Sequence, residues 1–97
     1  MKVSEVDAKT LAEYVRLDNP EEIELKELDR MKGSAVAMIT AYTGLKAKEL
    51  DEYEDITQAL FVIVADMFDN RNLQTDNKAV INPAVKIILN LHSVNLL

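Results

Sequence analysis

Residues 56–68 read Ile-Thr-Gln-Ala-Leu-Phe-Val-Ile-Val-Ala-Asp-Met-Phe, and ten of the thirteen are apolar. At about 100° per residue, Ile56, Leu60, Ile63 and Met67 form a central ridge. Phe61, Val64 and Phe68 widen it on one flank and Ala59 on the other. Only Gln58, Asp66 and Asp69 keep a polar stripe, which Val62 interrupts. An ordinary surface helix needs an apolar arc of only about 100°. The pattern therefore predicts a helix covered on most sides, completing its burial against copies of itself or a partner. Phe61 and Val62 are its candidate contact residues.

Elsewhere the spacing predicts three more helices. The first opens at Ser4, with Asp7 three residues on as a weak capping box, and Val3, Val6, Thr10, Tyr14 and Leu17 form its inner stripe. Asp18-Asn19-Pro20 ends it and starts the second, because proline suits a first helical position and disfavours helix before itself. Glu21, Glu22 and Glu24 suit the positive end of that helix. It is the longest rod, running to Thr43 and capped by Gly44. Leu25, Leu28, Met31, Ala35, Met38, Ile39 and Tyr42 share its core face. Its back carries a strip of small residues, Gly33, Ala37, Thr40 and Ala41, read either as a subunit contact or as a solvated face.

Residues 45–54 are charged, a mixture of short helix and loop anchored by Leu50 and Tyr53. Asp55 with Gln58 makes a second capping-box candidate for the apolar helix, which fades at Asp69-Asn70-Arg71. Residues 72–81 are polar and aperiodic apart from Leu73, Val80 and Ile81, and a loop of that length is often functional. Asn82-Pro83 opens the last helix, and the chain runs out through an apolar tail bearing Val94, Leu96 and Leu97. That tail tucks into its own core or docks on a neighbour, and docking is the expectation. The fold class is all-α: a small bundle of four helices with one long central helix and an extended polar loop before the last. It forms a single domain, 1–97.

Composition narrows the function. Lys and Arg number 11 against 17 Asp and Glu, a net charge of −6. Nucleic-acid affinity arises largely from cations displacing counterions. Direct DNA reading is therefore not expected, while an acidic wall can let a duplex pass without gripping it. There are no cysteines, which fits a reducing cytoplasm. No apolar run approaches the roughly 20 residues of a membrane span, and the first residues hold no signal core. A soluble intracellular protein is expected, with no membrane contact.

The search for chemistry finds little. The one histidine, His92, has no carboxylate or second ligand at metal spacing in the sequence, and is read as structural or solvent-facing. Residues 69–74 fail as an EF-hand: Leu73 falls at a ligand position, Gln74 replaces the turn glycine and Val80 the bidentate glutamate. Neither Ser34 nor Ser93 has an evident base. Glu49, Asp51, Glu52, Glu54 and Asp55 read as a solvated face. Two glycines cannot build a phosphate loop. No catalytic, metal or cofactor-binding residues are assigned, and an enzyme is not expected. What remains is assembly.

In its order of elements the chain resembles the head–tail connector, or adaptor, proteins of tailed bacteriophages and prophages. The likeness rests on Leu11-Ala-Glu-Tyr-Val-Arg-Leu-Asp18 before an acidic helix start, then Ile39-Thr-Ala-Tyr-Thr-Gly44. The apolar helix from Asp55 to Asn70-Arg71 and the opening Asn82-Pro83 follow. It spans almost the whole chain. The resemblance implies a helical subunit in a ring, commonly dodecameric, beneath the portal protein at the virion neck. Such a ring is assembled in the host cytoplasm, extends the channel for double-stranded DNA and receives the tail or a stopper protein. It also implies that residues 72–81 and 92–97 touch ring neighbours and the portal. The alternative is a small acidic helical regulator, of antitoxin or anti-repressor type, binding one partner protein through its apolar helix.

Overall fold

The N-terminal stripe does not make one helix. The computed structural model describes residues 1–71 and 82–94. In it a short 3-10 turn, Val3–Glu5, is followed by helix α1, Ala8–Tyr14. The cap is Asp7 rather than Ser4: its carboxylate accepts from the Thr10 amide at 2.8 Å and from the Thr10 hydroxyl at 2.7 Å. A short acid with a donor three residues on satisfies the free amides of a first turn, so the helix starts there. Helix α1 ends in a Schellman turn, with the Leu17 amide on the Ala12 carbonyl (2.9 Å) and the Arg16 amide on that of Glu13 (3.1 Å). Arg16 takes the left-handed conformation, φ 59°, that glycine usually fills there.

Helix α2, Glu22–Thr43, opens two residues later than Pro20 predicts, because Glu21 is its cap and the Glu24 carboxylate accepts from the Glu21 amide at 3.0 Å. Its far end is as the sequence predicts: Gly44 has φ 79° and donates to Thr40 at 2.9 Å. Leu28, Ala35 and Ile39 are fully buried, and Leu25, Met31, Met38 and Tyr42 pack against them. A second 3-10 turn, Ala47–Glu52, pins Leu50 in the core.

Helix α3, Glu54–Asp69, runs through the middle. Asp55 is not its cap; Tyr53 occupies that position and Asp55 lies inside the first turn. Ile56, Ala59, Leu60, Phe61, Ile63, Val64 and Phe68 are buried, with α1, α2, the two 3-10 turns and helix α4 (Pro83–Leu91) all packed on α3. The expectation that this helix needs a partner to cover it is therefore corrected. A helix apolar nearly all round can be the centre of its own bundle, and this one is. Thr57, buried on the same helix, donates its hydroxyl to the Met1 carbonyl at 2.8 Å. No described buried side-chain polar atom lacks a partner.

Helix α4 opens as predicted, with the Asn82 side chain accepting from the Ala84 amide at 2.8 Å and Pro83 in its first turn. It buries Val85 and Leu89 and half-buries Ile88.

Two carboxylates stitch the N-terminal corner. Both are held below the ordinary aspartate value of 3.8: Asp7 by the Thr10 hydroxyl and then its amide, Asp51 by the Ser4 side chain and then its amide. A carboxylate depressed in the folded state adds stability that is complete above the unfolded value and fades as pH falls through the folded one. The Asp7→Asn, Asp51→Asn pair should therefore flatten the acid limb of stability below about pH 4. Urea melts across that range would show it, and an acid limb as steep as that of the parent would exclude these two groups.

Candidate partner interface

Among the described residues, exposed apolar side chains fall in file on α4, while Ile23, Tyr14 and Met1 are exposed singly elsewhere. Val85 and Leu89 face inward, while Ala84, Ile87 and Leu91 follow three-and-four spacing on the flank away from them. Ile87 is 64% exposed and Leu91 72%, with Val94 at 65% just beyond the helix end. Isolated surface leucines are ordinary, but large aliphatic side chains in file along one helix make a candidate contact surface.

The end of α4 is held by polar ties. The Tyr42 hydroxyl donates to the Asn90 side-chain oxygen at 2.6 Å, and the Val94 amide donates to the Thr43 carbonyl at 2.7 Å. His92 Nε2 sits 2.8 and 2.7 Å from the two oxygens of Asp55, and its ring lies 4.2 Å from that of Tyr53. The sequence reading gave His92 no carboxylate; the fold brings one from 37 residues away. Asp55 was legible only as a candidate cap, and nothing local ties the two together.

The strip on α2 is where the sequence places it. Gly33, Ala37 and Ala41 are exposed on the face opposite Leu28, Ala35 and Ile39. A Cβ added at Gly33 meets nothing within 4 Å. Gly33→Ala should therefore stabilise the isolated chain by about 1 kcal/mol through helix propensity alone, raising its melting temperature by roughly 4–8 °C. Calorimetry checks this, and a lower melting temperature would mean that the position is not open. A loss of self-association in the same variant would mark the strip as a close helix contact; no loss would mark it as solvated.

Phe61 and Val62 fare differently from the sequence expectation. Phe61 is buried, its ring 4.9 Å from that of Tyr14 on α1, so it is a core residue and not a free contact residue. Val62 is half-covered and packs on the same core. Leu73, Val80, Ile81, Leu96 and Leu97 lie outside the described residues. Sequence reasoning missed Ile87 and Leu91, although the signal was present: an apolar residue on both flanks of a nine-residue helix exceeds one buried face.

At the opposite end of α3, Arg71 lies 3.8 Å over the Phe68 ring, donates to the Phe68 carbonyl at 2.6 Å and approaches Glu27 of α2 at 3.3 Å. This closes the seam between α2 and α3. A shallow groove of about 400 Å³ beside it is lined by Glu27, Arg30, Met31, Ser34, Met67 and Arg71, with both charges present. Among the described residues, no three His, Cys, Asp or Glu side chains are grouped to hold a metal ion, and no helix is long and apolar enough to cross a membrane. Compared with protein-family models, curated proteins and solved structures, the chain matches none of them. What the arrangement can do chemically is bury α4 against another surface.

Proposed function

We propose that this chain is a structural subunit of a phage or prophage head–tail connector, assembling as a ring under the portal and docking the tail or a stopper protein. The observation that carries the reading is the uncovered file of Ile87 and Leu91 on α4, continued by Val94. Of these, Val94 falls within residues 92–97, one of the two stretches where the resemblance places contacts with ring neighbours and portal, and Ile87 and Leu91 lie just before it. The ordered likeness of the sequence supplies the rest. A charge of −6 on each subunit, multiplied around a ring, would discourage passing DNA from sticking to the channel during packaging. Within this reading the protein works at the virion neck after assembly in the host cytoplasm.

The test is electron microscopy and light scattering of the purified chain, alone and mixed with the products of its neighbouring genes. Rings seated on a portal are the expected result. A chain that never engages a portal overturns the proposal.

One observation favours the second reading, a small acidic regulator. The open file occupies one side of a single nine-residue helix, a size that suits one partner helix in a groove. An equimolar complex with one partner that is not a portal, together with no ring, would establish that reading instead.

A further inference from the structure

We infer that the contact between His92 and Asp55 sets the orientation of α4, and that it acts on this helix rather than on the fold of the bundle. Its use rests on the docking role proposed for α4; its test does not.

Nine residues make a helix that is marginal on its own, so α4 depends on what it is fastened to. Its two fully buried side chains, Val85 and Leu89, lie one turn apart on one face. Ile88 is half-buried beside them, and apolar packing of this kind is non-directional, so it leaves a short rod freedom to rock. The polar ties remove this freedom, and they gather at the C-terminal end. Asn90 and Val94 both reach the last turn of α2, at Tyr42 and Thr43. The contact of His92 reaches α3 instead. It adds a directional tie to the helix on which α4 packs, so that the polar ties span α2 and α3.

The contact is stiff by construction. One imidazole nitrogen is shared between both oxygens of Asp55, and the ring is set 4.2 Å from Tyr53 at an interplanar angle of 33°. The bond fixes the distance and the neighbouring ring limits sideways slip. Hydrogen bonds to a charged group are stronger than neutral ones, so this tie outweighs its neighbours. Opened, it leaves Val85, Leu89 and the α2 ties in place, while the file of Ile87 and Leu91 loses its fixed angle to α3.

Amide hydrogen exchange on the isolated full chain tests this with His92→Ala, His92→Gln and Asp55→Ala. In His92→Ala the amides of α4 should exchange about tenfold faster than in the parent. Amides in the cores of α2 and α3 should keep the parent rates. His92→Gln, which retains an N–H donor, should recover part of the protection. The Asp55→Ala variant should match His92→Ala, and the double variant should be no worse than either single one. Unchanged exchange in α4 would overturn the inference, as would equal acceleration in all three helices or additive losses in the double variant. Because no partner is present, the outcome is independent of whether the chain ever joins a portal ring.

Discussion

Phe61→Asp is expected to unfold the protein. The Phe61 ring is 8% exposed and stacks at a tilt of 30° on Tyr14, joining the centre of α3 to α1. Removing a buried phenylalanine costs about 3–5 kcal/mol. Placing a carboxylate in the space adds several more unless it takes up a proton. A domain of this length holds roughly 5–15 kcal/mol in all, so the combined loss is of the size of the whole stability. Circular dichroism at room temperature should show a helix signal far below that of the parent and no cooperative melt. Val62→Asp, one residue on and only half-covered, should keep a cooperative melt at reduced temperature. If Phe61→Asp melts like the parent, α1 does not cover α3 as described.

Ile87→Gln with Leu91→Gln should do the reverse, leaving the fold intact and removing association. Both side chains are mostly in water, and glutamine keeps good helix propensity without adding charge. Surface substitutions of this kind usually move stability by no more than about 0.5 kcal/mol each. A contact built on two aliphatic anchors loses about 2 kcal/mol or more per anchor at its centre. Under the connector reading, together these give a drop of roughly 1,000-fold in affinity for the portal. Sedimentation velocity of the pair variant, alone and with the portal, reads both effects. Parent-like binding would take α4 out of the interface. A stability lower by several kcal/mol would mean that the chain itself covers these residues.

Much of the bundle was legible because its signals are local. The seven apolar positions assigned to the inner face of α2 all lie in or against the core, and Gly44 and Asn82-Pro83 punctuate the chain where their backbone chemistry demands. Asp7 displaced Ser4 as a cap because a carboxylate beside Thr10 offers two bonds at once. The larger departure concerns α3. Its nearly continuous apolar surface is no surplus, because a helix in the middle of a small bundle needs that surface to meet neighbours on every side. The surplus sits instead on α4, at the edge. There Val94 remains exposed as a candidate contact, Gly33, Ala37 and Ala41 remain open on α2, and Phe61 does not. The pairing of His92 with Asp55 was beyond sequence reading, since nothing in a single chain marks which acid a distant imidazole will meet.

The start of α3 is where both ends of the described chain come together. Thr57 holds the Met1 carbonyl, Asp51 just before the helix holds the Ser4 amide, and Asp55 holds His92. During synthesis the first two of these can form once the opening of α3 has left the ribosome, but the third waits until α4 has emerged as well. A nascent protein therefore passes through an interval in which α1, α2 and α3 are present and the side of α3 that α4 covers is bare. Whatever greets the polypeptide in that interval meets an oily groove that the finished molecule conceals.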